Sequence, residues 1–282
     1  MKRVLILLLV AVSLASQAQV VTPAASPAAT VSTVVGLTEV KVEYSRPKMK
    51  GRKIFGTGAD FVTPYGQMWR TGANAGTIVT FADDVKFAGT DVPKGKYLLL
   101  TIPGAAEWTV ILYKDVALGG NMSGYDQKND QARAVVKPET LSHAVEAFTI
   151  EIADLSADSK AANLQLMWEK TSVKVPFTVD FDKKVMASIE ANTKVSPGNL
   201  YAAASYYLET GKDLKVALDW CSQAAAARPQ AYWIMHTKAK IQQGLGDKKG
   251  AMESAMASKA EAEKQNDGSY VRMNDELIKA LK

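Results

Sequence analysis

The amino-acid sequence predicts an all-β sandwich, antiparallel and of jelly-roll or immunoglobulin-like type, followed by a small all-α domain of helical hairpins. Two observations carry this prediction. Between residues 31 and 181, apolar residues recur at every second position in several short segments, and no helical stretch separates them. After residue 181 the composition changes to alanine, leucine, lysine, glutamate and glutamine, which favour helices. A chain of 282 residues is long enough for two such domains.

Residues 1–18 have the three parts of an export signal. Lys2 and Arg3 supply the positive charge, an apolar run follows, and small residues precede Gln19. The run is too short to cross the ~30 Å hydrocarbon core of a bilayer as a helix. We therefore expect cleavage before Gln19, no transmembrane segment in the mature chain, and a periplasmic or secreted location.

The β domain is predicted to span residues 31–181. Residues 19–30 are rich in proline, alanine and serine without a period, and they predict an extended linker. In the first predicted strand Val40, Val42 and Tyr44 alternate with charged residues, which gives one buried face and one solvated face. The same alternation recurs between turn-forming residues at 77–81, 96–102, 108–113, 148–152, 164–168 and 173–179.

Residues 182–282 form the predicted helical tail. Aligned with itself, the tail matches at an offset of 34 residues, which pairs Ala217 with Ala251 and Cys221 with Ala255. Small residues at this period resemble two degenerate tetratricopeptide units. Because about three units are usually needed to fold alone, we expect the tail to pack on the β domain, on a partner or on an additional helix near its end.

Charge and composition exclude several classes of function. The formal charge of +5 falls by two when Lys2 and Arg3 are removed, and basic runs are absent, so we predict no nucleic-acid partner. Cys221 is the only cysteine, and its apolar helical context predicts a buried structural thiol. His143, expected in a loop, and His236, expected in a helix, have no neighbours at metal-ligand spacing. We predict no catalytic set, no metal site and no cofactor.

The most unusual segment lies between residues 44 and 74, where glycine and proline are too frequent for regular structure. It contains Tyr-Ser-Arg-Pro at 44–47, Lys-Gly-Arg-Lys-Ile-Phe-Gly at 50–56, Pro-Tyr-Gly at 64–66 and Trp-Arg-Thr-Gly-Ala-Asn at 69–74. Together with Pro-Lys-Gly-Lys-Tyr at 93–97, these motifs resemble a bacterial family of exported proteins filed as domain of unknown function 2911. The resemblance covers about residues 26–180 and implies no particular activity.

Two interpretations of this segment stay open. A ligand site would hold a carboxylate or phosphate by bidentate hydrogen bonds, and its candidate residues are Arg46, Arg52, Tyr65, Trp69, Arg70 and Asn74. Alternatively, each arginine binds carbonyl oxygens of the loop or stacks on an aromatic ring, and so braces the connection against the sandwich. We predict bracing. Trp69 is the best aromatic candidate for ligand contact, because it alone lies in irregular sequence.

For function, the sequence favours a non-enzymatic envelope module that binds a small anionic ligand, a glycan or a protein partner, with the tail as an added interaction surface. The first alternative is a hydrolase or lyase whose site is assembled only in the fold, around Arg70 and Tyr65. The second alternative is a structural spacer in an envelope assembly. Two converging carboxylates in a deep pocket would favour the enzyme.

Overall fold

The computed structural model describes residues 22–192 and 196–282. The predicted signal at 1–18 lies outside the described residues. The chain divides into two compact units, one ending at Phe181 and the other spanning Asp182–Lys282. Within the described part of the chain, every β-strand belongs to the first unit and every α-helix to the second. The predicted fold class, an antiparallel β-sandwich followed by a helical domain, is confirmed.

The first unit has two main sheets. Its described strands are β1 (Ala28–Val35), β2 (Thr38–Ser45), β3 (Phe55–Gly56), β4 (Thr63–Pro64), β5 (Thr77–Phe81), β6 (Val85–Phe87), β7 (Thr90–Val92), β8 (Gly95–Ile102), β9 (Trp108–Tyr113), β10 (Asp130–Val136), β11 (Glu139–Ala153) and β12 (Ala161–Val179). The larger sheet has the order β1-β2-β5-β8-β9-β10, and the smaller has β11-β12-β6-β7. Strand pairs in both sheets are antiparallel, whereas β3 and β4 form a separate short parallel pair.

Several strands differ from their predicted bounds. β1 begins at Ala28, inside the predicted linker, because its backbone pairs with β2 as far as Ala28 opposite Ser45. The predicted strands at 164–168 and 173–179 are parts of the single strand β12, in which Glu169 has a φ of 55° that interrupts the alternation. His143 lies in β11 rather than in a loop. Backbone pairing decides these positions, and residue type does not reveal it.

The main core lies between the two sheets, and an aromatic cluster occupies part of it. The cluster consists of Phe55, Trp69, Trp108, Phe148 and Trp168. Trp69 stacks on Trp168 with ring centroids 5.7 Å apart, and Phe55 meets Trp108 edge-on at 4.9 Å. Such offset and edge-to-face contacts add stability beyond the burial of apolar area.

The second unit consists of antiparallel helices. Those described are α1 (Asp182–Asn192), α2 (Pro197–Thr210), α3 (Leu214–Ala227), α4 (Tyr232–Gly244), α5 (Lys248–Lys264) and α6 (Gly268–Leu281). α2 packs on α3, α4 on α5, and α6 on α5. Aspartate side chains cap the N-termini of α3, α5 and α6. The arrangement is consistent with helical hairpins, and the tetratricopeptide resemblance stays a prediction.

A buried polar network joins three of these helices. Asn274 of α6 donates through Nδ2 to the Ser258 hydroxyl of α5 at 2.9 Å and to the Tyr270 carbonyl at 2.8 Å. Its Oδ1 is therefore free to accept from Nδ1 of His236 in α4, at 2.8 Å. His236 is buried with its Nδ1 hydrogen-bonded, which accounts for a histidine inside an apolar unit.

Cys221 is fully buried in α3, where its thiol donates to the Ile234 carbonyl. Desolvation by burial raises the pKa of the Cys221 thiol to about 12.

At pH 8 we expect no reaction of Cys221 with Ellman's reagent in the native protein and one equivalent in denaturant. The thiol has a lower pKa in the unfolded chain than in the folded protein. The contribution of Cys221 to the free energy of unfolding is therefore fully present below about pH 8.5, and it is lost as the pH rises from about 9 to 12. Rapid native labelling at pH 8 would contradict this assignment.

Candidate functional site

Arg46 connects the two sheets. Its Nε donates to the Phe148 carbonyl at 3.0 Å, and its Nη2 donates to the Thr149 hydroxyl at 2.8 Å, both in β11. The neighbouring backbone follows the same path, since the Phe148 amide donates to the Pro47 carbonyl at 2.9 Å. The segment after β2 therefore pairs with the edge of the smaller sheet, and the half-buried guanidinium of Arg46 fastens this pairing.

Arg52 and Asn74 also bind parts of the chain near them. Arg52 is exposed, and it donates to the carbonyls of Met49 and Lys48 in its own loop, at 3.1 Å and 2.6 Å. Asn74, also exposed, donates through Nδ2 to the Ser45 hydroxyl at 3.1 Å. Arg52 closes a turn of its own loop, whereas Asn74 connects the end of the irregular segment to the last residue of β2. Both contacts are as expected for bracing.

Arg70 binds a different part of the domain from the other two arginines. Its Nη1 donates to the Gly120 carbonyl at 3.2 Å, in the connection between β9 and β10. Among the described hydrogen bonds, Arg46, Arg52 and Arg70 share no partner. The ligand interpretation requires the arginines to converge on one patch, whereas in the structure each arginine has its own acceptors. This geometry favours bracing, and a ligand role for these residues stays a prediction.

Trp69 and Tyr65 contribute to the core. Trp69 is half-buried against Phe148 and Trp168, and its Nε1 donates to the Gly72 carbonyl at 3.1 Å. Tyr65 is half-buried and packs against the same core. The Trp69 ring is thus occupied by intramolecular contacts, which leaves little support for the expectation that it contacts a ligand.

A cavity of about 440 Å³ lies at one end of the sandwich, and we call it the acidic cleft. It is lined by Asp84, Val85, Lys86, Asp91, Val92, Pro93, Gln131, Thr178, Val179 and Asp180. Its volume is within the range of about 300–1,000 Å³ that is usual for ligand pockets. None of these residues was a candidate from the sequence.

Strand register explains which side chains reach the acidic cleft. Thr178 of β12 lies opposite Lys86 of β6, and Lys86 lies opposite Asp91 of β7. Side chains at directly opposite positions share one face of a sheet. The adjacent row, with Val85 and its neighbours, is buried in the main core, so the Thr178–Lys86–Asp91 row faces outwards.

Polar contacts hold the acidic cleft in shape. Lys86 Nζ and Asp91 Oδ1 form an ion pair at 2.5 Å. Gln131 of β10 donates through Nε2 to the Asp91 carbonyl at 3.0 Å, which joins the edges of the two sheets. Asp84 accepts from the Lys94 amide at 2.8 Å. Burial, with a smaller contribution from the charge of Asp84, raises the pKa of Tyr97.

The charge of the acidic cleft is negative. Its lining contains three aspartates, Asp84, Asp91 and Asp180, and one lysine, Lys86, which is paired with Asp91. A negative site repels carboxylates and phosphates, while carboxylate oxygens accept well from hydroxyl groups and ammonium groups. The acidic cleft therefore suits a ligand rich in hydrogen-bond donors rather than the small anion expected from the sequence.

The acidic cleft was difficult to predict from sequence because β6 and β7 have only three residues each. Alternation cannot be recognised over so short a segment. One usable signal was present. The turn-forming residues Asp83-Asp84 and Pro93-Lys94-Gly95 enclose two short β-prone segments, a pattern typical of a hairpin.

Other parts of the described chain offer few further chemical features. The helical unit has a second cavity of about 440 Å³, lined in part by Arg228, Gln230, Trp233 and Gln265. Across residues 22–192 and 196–282, no group of three or more His, Cys, Asp or Glu side chains is placed to hold a metal ion. No helix in these ranges is long and apolar enough to cross a membrane.

Comparison with known proteins assigns the family of the chain. A family model described as Protein of unknown function (DUF2911) matches residues 26–177. The match includes the motifs between 44 and 74 and most residues of the acidic cleft. No curated protein matches the chain, and no solved structure matches it. Because the matched segment is more than half of the 282 residues, the chain belongs to the DUF2911 family of proteins of unknown function.

Proposed function

We propose that this chain is an exported, non-enzymatic binding protein whose acidic cleft takes a polyhydroxylated ligand, a glycan. The single observation that carries the proposal is the cavity of about 440 Å³ at the meeting edges of the two sheets. The side chains around it come from β6, β7, β10 and the end of β12. A site on a rigid sheet edge is preorganised for binding.

The polar groups of the acidic cleft fit the hydroxyl groups of a sugar. A carboxylate such as that of Asp91 accepts hydrogen bonds from two adjacent hydroxyls, and the amide of Gln131 both donates and accepts. The negative charge supports a glycan over an anionic ligand, because an anion would have to approach the carboxylates of Asp84 and Asp91. A basic protein segment is the competing occupant that the experiment must distinguish.

The enzyme alternative has less support than binding. Arg70 and Tyr65, the centre of that alternative, are engaged separately, since Arg70 donates to the Gly120 carbonyl and Tyr65 packs against the main core. The spacer alternative has no observation in its favour. The acidic cleft is the feature that favours recognition.

Calorimetric titration of the mature protein tests the proposal. The ligand panel contains neutral oligosaccharides, uronic-acid oligosaccharides, inorganic phosphate and a lysine-rich peptide. We expect binding by neutral oligosaccharides, and a loss of about tenfold in affinity for Asp91→Asn and Gln131→Ala, because each removes about one hydrogen bond. Glu107→Gln, an exposed carboxylate outside the acidic cleft, is the matched control and should leave affinity unchanged.

Two outcomes would contradict the glycan proposal. Binding of the lysine-rich peptide alone would assign the acidic cleft to a protein partner. Equal effects of Asp91→Asn and Glu107→Gln on oligosaccharide binding would place the site elsewhere. Thermal melts of the variants serve as the folding control, since surface substitutions usually change stability by less than about 0.5 kcal/mol.

Export is proposed from the amino-terminal sequence alone. Mass spectrometry of the protein recovered from the periplasm or medium should find Gln19 as the first residue, because the small residues before it form the cleavage site. Cyclisation of Gln19 would lower the mass by that of one ammonia. An intact Met1 in the exported fraction would contradict the prediction.

A further inference from the structure

The larger sheet buries apolar side chains on both of its faces. Leu99 and Leu112 point into the main core. On the opposite face, Leu98, Leu100, Ile111 and Tyr113 form a second buried cluster, which we call the outer apolar face. The outer face of a sandwich sheet is commonly solvated, so this face requires a cover.

The cover is mainly the connection between β9 and β10. Residues 115–124, which we call the strap, contain two one-turn 3₁₀ helices, Val116–Leu118 and Met122–Gly124. Leu118 and Met122 of the strap pack on the outer apolar face but stay partly exposed. The strap therefore covers a fully buried surface with side chains that are themselves only half-buried.

The strap has few hydrogen bonds to the rest of the domain, although the backbone of Gly119 and Gly120 lies close to that of residues 74–76. Its backbone hydrogen bonds are local, such as that from the Leu118 amide to the Asp115 carbonyl at 3.3 Å. Between described residues, the only hydrogen bond from the strap to the rest of the domain beyond its flanking residue is that from Arg70 Nη1 to the Gly120 carbonyl. Gly119 has a positive φ of 56°, a conformation that glycine adopts at little cost.

The chain beyond the strap is anchored much more firmly. The Tyr113 hydroxyl accepts from the Asp126 amide at 3.1 Å and from Nδ2 of Asn129 at 3.3 Å. The Tyr125 hydroxyl donates to the Asp130 carboxylate at 3.0 Å. These contacts hold residues 125–130, at the end of the connection, so that the strap can move while the following residues stay in place. Arg70 then supplies the described hydrogen bond that holds the rest of the strap to the domain, beside the apolar contacts of Leu118 and Met122.

We propose that the strap lifts from the outer apolar face, that Arg70 is its latch, and that the uncovered face binds the hydrocarbon tail of a long-chain carboxylate. This site is separate from the acidic cleft and does not rest on glycan binding. We infer the occupant from two properties of the surroundings, which are a mainly apolar lining and the guanidinium of Arg70 at the strap that covers it.

The chemistry of the latch selects the ligand. When the strap lifts, Arg70 loses the Gly120 carbonyl as its acceptor and needs another one. A carboxylate binds a guanidinium through two parallel hydrogen bonds, which are stronger than one bond to a carbonyl. Met68 and Met122 border the outer apolar face, and their flexible thioethers adapt to an inserted chain. Ligand carboxylate and strap carbonyl thus compete for Arg70, which couples binding to opening.

Hydrogen exchange of the full mature chain tests the latch. Arg70→Ala should speed exchange of the strap amides about tenfold relative to those of β8 and β9, as expected for the loss of one hydrogen bond. Arg52→Ala is the matched control, because Arg52 binds only carbonyls of its own loop. Strap amides that exchange only with global unfolding, in the wild type and in Arg70→Ala alike, would overturn the proposal.

Titration with laurate, dodecanol and acetate tests the ligand. Laurate should bind the wild type and speed strap exchange, while acetate, which lacks the tail, should do neither. Arg70→Ala should bind dodecanol more tightly, because the latch that opposes opening is lost. Its affinity for laurate should fall at least tenfold relative to its affinity for dodecanol, because only laurate offers a charged acceptor for the guanidinium. If Arg70→Ala does not fold, Arg70→Lys, which keeps the charge but not the paired donors, should show a smaller relative loss. Failure of laurate to bind, or equal changes in affinity for laurate and dodecanol, would overturn the proposal.

Discussion

Replacing Trp168 with alanine is expected to destabilise the β unit by about 3–5 kcal/mol, the range found when buried aromatic side chains are removed from cores. Trp168 is 1% exposed. The rings of Phe55, Trp69 and Phe148 surround it, with centroids within 5.9 Å. Its Nε1 donates to the Glu146 carbonyl at 3.3 Å. The substitution therefore leaves a cavity and removes one of the two hydrogen bonds that the Glu146 carbonyl accepts, the other being donated by the Met49 amide at 2.8 Å.

Urea unfolding followed by near-ultraviolet circular dichroism measures this loss. Total stabilities of about 5–15 kcal/mol are usual, so a loss of this size should move the midpoint of Trp168→Ala to a clearly lower urea concentration. Trp168→Phe is the graded control, because it keeps an aromatic ring in the cluster while losing the hydrogen bond and part of the volume. We expect Trp168→Phe to lower the free energy of unfolding by less than half as much as Trp168→Ala. A loss below about 1 kcal/mol for Trp168→Ala would show that the site can collapse around the gap.

The sandwich was predictable from sequence because burial on one face imposes a period of two. Val40, Val42 and Tyr44 are all buried in the structure, and the predicted strands at 77–81 and 108–113 have the observed bounds. These strands cross the main core, where each alternate position must be apolar. Strands β6 and β7 have only three residues each, so their alternation is too short to recognise in the sequence, and they were not predicted.

The strap was not predicted, although the sequences of β8 and β9 indicate that both faces of the larger sheet are covered there. The runs Leu98-Leu99-Leu100 and Val110-Ile111-Leu112 are apolar at consecutive positions, which is typical of strands buried on both faces. Alternation in the other strands favoured a solvated outer face. Which segment covers such a face depends on tertiary packing, and the sequence of the strap, with its polar residues and glycines, is that of an ordinary surface loop.

The arginine motifs posed a different problem. From sequence, a loop rich in arginine and glycine is compatible with both ligand binding and bracing, because guanidinium groups bind carbonyls and carboxylates by the same hydrogen bonds. The structure separates the positions by their acceptors. Arg46 reaches a residue 102 positions away, whereas Arg52 reaches residues three and four positions away. Of these two arginines, only Arg46 therefore connects the larger sheet to the smaller one.

This difference leads to a matched test of bracing. Arg46→Ala should destabilise the β unit by about 3 kcal/mol, because it removes two hydrogen bonds from a charged donor, each worth about 1.5–3 kcal/mol, at a half-buried site. Arg52→Ala removes the same charge and two hydrogen bonds, but from an exposed site, and should cost less than about 0.5 kcal/mol.

Thermal melts and urea unfolding of both variants give the comparison. For a domain of this size, each kcal/mol corresponds to a melting temperature change of about 2–4 °C. Arg46→Lys should lie between the wild type and Arg46→Ala, since an ammonium reaches one acceptor but cannot bridge the Phe148 carbonyl and the Thr149 hydroxyl with a planar fork. Equal melting temperatures for Arg46→Ala and Arg52→Ala would mean that the Arg46 contacts do not brace the sandwich. Such a result would favour the interpretation that the arginines of residues 44–74 bind an anionic ligand.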